Sequence, residues 1–333
     1  MKAGPTSWRP PVRYYPPAGL SPLFCPLPKS KARPSLDVRY TLSDDHVLRF
    51  SAREALGIPE QTLLLAILSL AGEQYSDKGH AALLQGSDGR ELPETLWAKL
   101  YPGGGASEHH ALMVETTWEQ LNQRCGTTSG GSAIAMRKKN MRRLCEVVVW
   151  EEQLSRRVTQ QSFLVVWLEG GDQHIHLAVN HRLASALFVG GRYAQVLMSE
   201  RLALDEDLPM HVHAFLSTCV RIGHQLVIGL STLAARVWPM NHDTAPEGTI
   251  RRRKSELLAA LRAIGRLSNW NITFEAGSER VTIYRRSQGV RKMPSVAASH
   301  TSTAYAEQAA AEDACHTQHL SRPPDVSGLF SKS

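Results

Sequence analysis

The stretch that decides the fold is SGGSAIAMRKKNMRRLCEVVV, residues 129–149. It opens with a turn and with Ser132, which is placed to cap a helix, continues as an amphipathic helix and ends in a β-branched run. At the α-helical period of about 100° per residue, one face carries apolar residues, namely Ile134, Met141 and Cys145. Cations fall on or near the opposite face, namely Lys139, Arg142 and Arg143. One face can therefore be buried while the other presents positive charge.

A shorter helix is predicted just before this one, over residues 116–126, with Thr116 or Thr117 as its N-cap. A helix, a glycine-containing turn and a basic helix together indicate a helix-turn-helix. A surface helix with a solvated charged face would show the same local pattern, so a single copy leaves both interpretations open.

The pattern occurs a second time, displaced by 116 positions. The spacing of Ile134, Met141, Cys145 and Val148 is repeated by Ile250, Leu257, Leu261 and Ile264. Off this apolar centre lie the cations Arg251, Arg252, Lys254 and Arg262. A short helix, residues 231–238 with Ser231 as its cap, precedes the second basic helix. Its apolar positions Leu233 and Val237 match Leu121 and Cys125.

Two predicted strands follow each basic helix. The first pair comprises residues 147–150 and 163–168, and the second comprises residues 271–275 and 280–284. A helix-turn-helix followed by a β-hairpin is the winged-helix plan, and two copies indicate a tandem DNA reader. The first hairpin loop, residues 151–162, contains Arg156 and Arg157, which either reach DNA or belong to a solvated loop.

The predicted fold class is α+β, with two tandem winged-helix domains at residues 35–180 and 181–286. A chain of 333 residues has room for two such cores. Residues 1–34 contain six Lys or Arg, no acid and nine of the eighteen prolines, which predicts a flexible basic arm. Residues 287–333 are predicted to be a disordered tail.

Several further elements are predicted along the chain. They are a hairpin at 36–40 and 47–50, a helix from Pro59 to Ala71, a loop-rich insertion at 72–110 with one short helix at 94–100, a strand at 174–180, a short helix at 183–189, a strand at 193–198 and a helix at 205–222.

Charge and cysteine content narrow the functional classes. The net charge of +7 and the pI near 9.3 favour a nucleic-acid partner. No apolar run approaches the roughly 20 residues that a membrane span needs, and no secretory leader is evident. The five cysteines form no C-x-x-C pair, which predicts a reduced, cytoplasmic compartment without a structural metal.

Motifs for catalysis and cofactors are missing. The sequence contains no phosphate loop of the G-x-x-x-x-G-K-[ST] type and no G-x-S-x-G or H-E-x-x-H motif. The histidine pairs 174/176 and 211/213 lack a third ligand at a suitable spacing, so we expect neither a metal nor another cofactor. A nuclease or relaxase would need a positioned nucleophile, and its only candidate is the pair Tyr14-Tyr15 in the arm, which has no supporting base. We therefore expect that the chain is not an enzyme.

Four blocks resemble the replication initiator protein C of IncQ-type plasmids, in order and spacing, over roughly residues 35–286. They are LDVRY at 36–40 with RFS at 49–51, LAVN at 177–180, TLAARVWP at 232–239 and TIRRRK at 249–254. The resemblance implies a tandem winged-helix initiator that binds direct repeats, or iterons, in a plasmid origin. It also implies opening of an adjacent A·T-rich segment for a plasmid-encoded helicase and primase, and a possible homodimer. The first basic helix is more cationic than the family leads us to expect.

The predicted DNA contacts divide by chemistry. Arg or Lys can bridge guanine acceptors in the major groove, and the residues predicted to contact bases are Lys139, Asn140, Arg143, Arg251, Arg252 and Ser255. Hydroxyls at helix starts suit phosphates, which applies to Ser132 and Thr249. The residues predicted to contact the backbone or to orient a helix are Arg137, Lys138, Arg253 and Lys254, and Arg142 completes the basic face. A winged-helix transcriptional repressor, which may also regulate its own promoter, is the alternative function, since its helices and charges would look the same.

Overall fold

The computed structural model describes residues 11–27, 32–85, 89–102, 110–128, 130–156, 158–171, 174–188, 190–239, 245–275 and 279–287. Within these ranges the chain adopts a mixed α/β fold with small antiparallel sheets and ten α-helices. The predicted C-terminal tail after residue 287, residues 1–10 and 28–31 of the predicted arm, and Arg157 lie outside the described residues.

Sixteen elements precede residue 198. They are β1 (Val12–Tyr14), α1 (Pro16–Leu20), β2 (Leu36–Ser43), β3 (His46–Ala52), α2 (Ile58–Lys78), β4 (Leu83–Leu84), α3 (Glu91–Leu100), β5 (Ala111–Thr117), α4 (Trp118–Arg124), α5 (Gly131–Cys145), β6 (Val148–Gln153), β7 (Val158–Phe163), β8 (Val165–Glu169), β9 (His174–Val179), α6 (His181–Ser185) and β10 (Ala194–Val196). Seven more follow: α7 (Met198–Leu202), α8 (Asp207–Cys219), β11 (Gln225–Gly229), α9 (Leu230–Val237), α10 (Glu247–Gly265), β12 (Trp270–Phe274) and β13 (Arg280–Arg285).

Two main hydrophobic cores divide the chain at α7. We call the part before α7 the first lobe and the part after it the second lobe. The first lobe contains the sheets β2-β3-β6-β7, β4-β5-β9-β8 and β1-β10, and the second contains β11-β13-β12. Residues of α6 and β10 pack against the first core, beyond the domain boundary predicted at residue 180.

Helix α2 lies at the centre of the first core. Its run from Leu63 to Leu68 is apolar on every side and fully buried, as expected for a helix with neighbours all round. Pro59 lies in its first turn, and the Glu60 carboxylate accepts a hydrogen bond from the N–H of Gly57 at 2.9 Å. The predicted helix is confirmed, and it extends past Ala71 to Lys78.

The N-terminal segment corrects the prediction of a flexible arm over residues 1–34. Strand β1 pairs with β10, the Tyr14 side chain is fully buried, and its hydroxyl donates to the carbonyl of Ala18 at 2.9 Å. The prolines start α1 rather than preventing order, because their restricted φ suits a first helical turn. Gly19 permits close packing on α8, since a Cβ there would lie 2.4 Å from Oγ1 of Thr218.

The predicted caps of the basic helices need correction. Helix α5 begins at Gly131 with Gly130 as N-cap, so Ser132 lies inside its first turn. Ser231 likewise lies inside α9, and Thr249 inside the first turn of α10. The N-cap is a glycine in α5 and α9 and Pro246 in α10, so none of these three helices uses a serine or threonine side chain as its cap. Thr117 does cap α4, and its hydroxyl accepts from the N–H of Gln120 at 3.1 Å.

The first hairpin pairs differently from the prediction. Strand β6 pairs with β7, in the register Val148↔Phe163, and the intervening turn is shorter than the predicted loop. Residues 165–169 form β8, which pairs with β9 in another sheet. The buried Leu164 separates the two strands, so an apolar run that looks continuous in sequence serves two sheets. The second hairpin is confirmed, with Asn271 opposite Tyr284.

The insertion at residues 72–110 has more structure than predicted. It contains the end of α2, β4 and α3, and Leu96, Trp97 and Tyr101 form a separate buried cluster against β5, β8 and β9. The β2–β3 hairpin and the strand at β9 are confirmed, whereas α6 and α8 are shorter than predicted.

Helix α7 joins the lobes through two adjacent buried side chains. The Glu200 carboxylate accepts hydrogen bonds from Nε2 of His213 and Nε1 of Trp270, both at 2.9 Å, in the second lobe. Arg201 donates to Gln61 and Thr62 of α2, each at 3.0 Å, and to the carbonyl of Met210 at 2.7 Å. Burial lowers the pKa of Arg201 to about 10, so this guanidinium remains charged at neutral pH.

Replacement of Arg201 by alanine should lower the free energy of unfolding by about 3 kcal/mol, because buried acceptors on both lobes lose their donors. Urea unfolding followed by circular dichroism measures this change. Arg39→Ala, at an exposed position on β2, is the matched control and should change stability by less than about 0.5 kcal/mol. Equal effects of the two variants would contradict a joint at Arg201.

Stability should also fall in mild acid because of His211. Burial lowers its folded-state pKa to about 3, whereas the unfolded chain takes up the proton near pH 6.5. The stabilisation is therefore complete above pH 6.5 and is lost as pH falls, by about 2 kcal/mol between pH 7 and pH 5. Urea unfolding at several pH values gives the free energy of unfolding as a function of pH. The slope of this dependence should be shallower for His211→Leu and unchanged for His174→Gln, which alters an exposed histidine. An unchanged slope in His211→Leu would exclude this contribution.

Candidate nucleic-acid interface

Each basic helix is held by a short helix through the same burial pattern. In α5 the buried positions are 137, 140, 141 and 144, and in α10 they are 257, 260, 261 and 264. The displacement is thus 120 residues rather than the predicted 116, a shift of about one helical turn that leaves the apolar face unchanged. The match of Leu121 and Cys125 in the first unit with Leu233 and Val237 in the second is confirmed by their burial.

The N-terminal half of α10 is the most accessible part of the two basic helices. Its first fully buried residue is Leu257, ten residues after the helix begins. The exposed residues before it include four of the predicted DNA contacts, namely Arg251, Arg252, Lys254 and Ser255. Arg253 is half-buried, with its guanidinium 5.4 Å from the centre of the Trp238 ring, and Thr249 is also half-buried.

The ion pairs on this surface are weak competitors for DNA. Arg251 pairs with Glu247, Arg252 lies 3.5 Å from Glu256, and Lys254 pairs with Glu279. The Arg251 and Arg252 side chains are 77% and 71% exposed, and exposed pairs of this kind contribute at most about 1 kcal/mol. A phosphate or a guanine edge can therefore displace them at little cost.

Burial decides the roles of two predicted contact residues on α5. The Arg137 guanidinium donates to Oδ1 of Asn122 and to Oγ1 of Thr127, each at 3.1 Å, and so fastens α5 to α4 and the turn. Arg137 orients the helix, which is one of its two predicted roles. Asn140 is 3% exposed and cannot contact a base edge in this structure. Both side chains take positions on the buried face that apolar residues occupy in α10.

Two further cations of α5 are held by acids. The Arg143 guanidinium donates to Glu54 at 2.7 Å and to the fully buried Glu60 at 3.2 Å. This hydrogen bond holds the pKa of the Glu54 carboxyl below its usual value. Lys138 lies 2.7 Å from Glu169 and 5.4 Å from the centre of the Trp118 ring. The predicted contacts that stay fully exposed on α5 are Ser132, Lys139 and Arg142.

The first hairpin turn presents one described arginine. Arg156 is exposed, and its neighbour Ser155 is bound by the Asp45 carboxylate, whose oxygen accepts from the Ser155 hydroxyl at 2.7 Å. These hydrogen bonds hold the pKa of Asp45 below its usual value. The turn between β6 and β7 is thereby fastened to the turn between β2 and β3. Arg157 lies outside the described residues.

The second lobe exposes further cations that are not among the predicted DNA contacts, although the helical period had already placed Arg262 off the apolar face. They are Arg262, Arg266, Arg280 and Arg286. Arg262 lies 5.9 Å from the centre of the exposed Phe274 ring. The signal that could have found them is the cation spacing of the second unit, which continues past Lys254 through the hairpin.

The predicted absence of a metal site and of a nucleophile is not tested by the structure, but the residues concerned are placed. His211 and His213 are buried within α8, and the described residues contain no group of three potential metal ligands. Burial raises the pKa of Tyr14 well above its usual value, which disfavours a phenolate nucleophile. None of the described helices combines the length and hydropathy needed to cross a bilayer.

Comparisons with known proteins agree with the folded range. The family model of replication protein C (RepC) matches residues 11–285 and so begins where the folded N-terminal segment begins. A crystal structure of selenomethionine derivatives of domains 2 and 3 of RctB has a TM-score of 0.47 and 12% identity, covering 78% of this chain and 94% of that chain. A second structure, of RctB domains 2–3, has a TM-score of 0.46 and 11% identity, covering 78% of this chain and 95% of that chain. These values support no functional argument, and no curated protein shows a significant match.

The division of α5 into structural and accessible cations can be measured. Arg137→Met should lower the free energy of unfolding by about 2 kcal/mol, because Asn122 loses a charge-assisted hydrogen bond inside the core. Arg142→Met, five residues along the same helix and exposed, should change it by less than about 0.5 kcal/mol. Chemical unfolding of both variants gives the comparison, and the reverse order would contradict the burial of Arg137.

Proposed function

The chain belongs to the replication protein C (RepC) family, and we propose that it is a sequence-specific plasmid replication initiator that binds direct repeats at a replication origin. The observation that carries this proposal is the pair of exposed basic helix faces, each on the second of two consecutive helices that a hairpin follows, in lobes joined by the buried contacts of α7. We interpret both units as winged helices.

In this proposal each basic helix enters a major groove. On α10, Arg251, Arg252 and Ser255 contact base edges, because they are exposed along the projecting half of the helix. On α5 the same task falls to Lys139 with Arg142. Phosphate contacts come from Lys254, Arg156 and the hydroxyl of Ser132, which fix the register of the protein on the duplex.

The fixed joint between the lobes favours direct repeats over a palindrome. Because the two DNA-binding units of one chain differ, the site that they recognise together is asymmetric. Successive copies of the protein would therefore bind successive direct repeats in the same orientation. Several bound copies would supply the deformation energy that opens flexible A·T-rich steps nearby. The sequence has no phosphate loop, and we propose that the chain is not an enzyme and that a plasmid-encoded helicase and primase act on the opened DNA.

Further parts of the proposal rest on the family. We place the protein in the cytoplasm, and we propose that a homodimer forms off the origin. A winged-helix repressor remains the alternative function. It would prefer a palindromic promoter site, whereas the initiator prefers direct repeats, so affinities for the two site types discriminate the two roles.

A salt titration tests the DNA proposal. Binding to direct-repeat origin DNA should show a log–log salt slope of roughly −6 to −10, with affinity at least about 10³-fold above that for scrambled DNA of equal length. The double variant Lys139→Ala with Arg252→Ala should lose this specificity, because both side chains are exposed on the basic helix faces. Fluorescence anisotropy measures both quantities.

The matched control removes two cations elsewhere. Arg39→Ala with Lys99→Ala makes the same charge change at exposed positions on β2 and α3. It should reduce the salt slope slightly and keep the specificity. Equal affinity for repeat and scrambled DNA in the wild type, or equal losses in both double variants, would replace the sequence-reading role with general attraction to phosphate.

A further inference from the structure

A cavity of about 430 Å³ lies where the N-terminal segment meets both lobes. Its wall comes from the segment around Tyr15, from β2 at residues 40–42, from residues 191–195 next to β10, from the end of α8 and from Arg285 of β13. This volume is within the range of small-molecule sites, which occur preferentially at interfaces between domains. The cavity does not include any of the residues proposed to contact DNA.

The lining of this cavity is positively charged. It contains three arginines, Arg192, Arg221 and Arg285, and none of its residues is acidic. Arg285 is 1% exposed, and its guanidinium donates only to main-chain carbonyls, those of Gln195 at 2.6 Å, Ser217 at 3.2 Å and Val220 at 3.3 Å. Among the described residues no carboxylate lies within ion-pair distance of it. Burial lowers the pKa of Arg285, and the Glu200 carboxylate, beyond ion-pair distance, offsets part of that effect. The cavity lining itself adds three guanidinium groups and no acid, so it favours an anion.

A second observation, an unpaired buried hydroxyl, points to a ligand that forms a hydrogen bond. Ser217, on the cavity wall, is 2% exposed, and its Oγ has no hydrogen-bond partner among the described residues. Its neighbour Thr218 lines the same wall, but its hydroxyl donates to the carbonyl of Ala214 at 2.9 Å. Buried hydroxyls nearly always have a partner, so the Ser217 Oγ is in position for a donor or acceptor of a bound molecule.

Aromatic rings line the rest of the cavity. Tyr15, Tyr40 and Tyr193 line it from three different segments, together with Pro16 and Pro17. The Arg13 guanidinium lies 4.5 Å from the centre of the Tyr193 ring, so only the other face of that ring is open to a base. Tyr15 is buried, and Tyr193 is 38% exposed at the rim. Flat rings of this kind stack on a heterocyclic base, while guanidinium groups bind phosphate.

We propose that this interlobe cavity binds a nucleoside phosphate, with the phosphate toward Arg221, Arg285 and Ser217 and the base against the tyrosines. Because the ligand would contact β2 of the first lobe and α8 and β13 of the second, it would stabilise one relative orientation of the two lobes. The binding itself does not depend on the proposed DNA role.

Equilibrium dialysis of the full chain tests the proposal, with adenosine and guanosine 5′-monophosphate and inorganic phosphate as the probes. At least one nucleotide should bind about tenfold more tightly than phosphate, since the ring adds stacking to the anion contact. Arg221→Gln and Ser217→Val should each weaken nucleotide binding by about tenfold. Arg53→Gln should leave it unchanged, because Arg53 is exposed, follows β3 where Leu36 pairs with Ala52, and does not line the cavity.

Other outcomes separate this proposal from DNA binding. Lys139→Ala with Arg252→Ala should keep nucleotide affinity even where DNA specificity is lost. Loss of nucleotide binding in that double variant would assign the binding to the basic helices and overturn the cavity site. Phosphate affinity equal to that of both nucleotides, or no binding of either nucleotide at millimolar concentration, would also overturn the proposal. Thermal melting of each variant without ligand confirms that it is folded.

Discussion

The burial of Glu200 and Arg201 on the five-residue helix α7 is the constraint on which the arrangement of the two lobes depends. These adjacent side chains point to different partners: Glu200 accepts from His213 and Trp270 of the second lobe, and Arg201 donates to α2 of the first. A buried charge is stabilised by its hydrogen bonds and by opposite charges. Loss of any one of these partners raises the free energy of the folded state, because the low-dielectric interior cannot replace it. The joint therefore permits few relative orientations, and each basic helix has a fixed direction with respect to the other.

The same physics divides the cations of the chain into two groups. Arg137 and Arg143 are held by side chains from outside α5 and contribute to the framework, whereas Lys139 and Arg252 project into solvent. In α10 the matching buried positions are apolar, so nearly all its cations remain exposed. The second unit thus presents the larger accessible basic surface, although each basic helix contains five Lys or Arg.

In the interlobe region, the sheet of the second lobe, β10 and the N-terminal segment are in contact. Arg285 belongs to the three-stranded sheet of the second lobe, yet it donates to the carbonyl of Gln195 in β10 of the first. The N-terminal segment completes this region, because Gly19 allows α1 to pack closely on α8. A molecule bound in the cavity would contact both lobes, which also meet where α8 packs on α1, α2 and β10. Binding of the proposed ligand would therefore be coupled to the relative placement of α5 and α10.

The sequence by itself determined the two amphipathic basic helices, the short helices before them, the second hairpin and the family, since periodicity and short motifs can be read directly from neighbouring residues. Only the tertiary structure decided that Asn140 is buried, that residues 165–169 join another sheet and that residues 11–27 are folded. Such outcomes depend on partners outside the local segment. The N-terminal segment, for example, is ordered through the pairing of β1 with β10. A helical period shows which residues share a face, but the neighbours that cover that face come from packing.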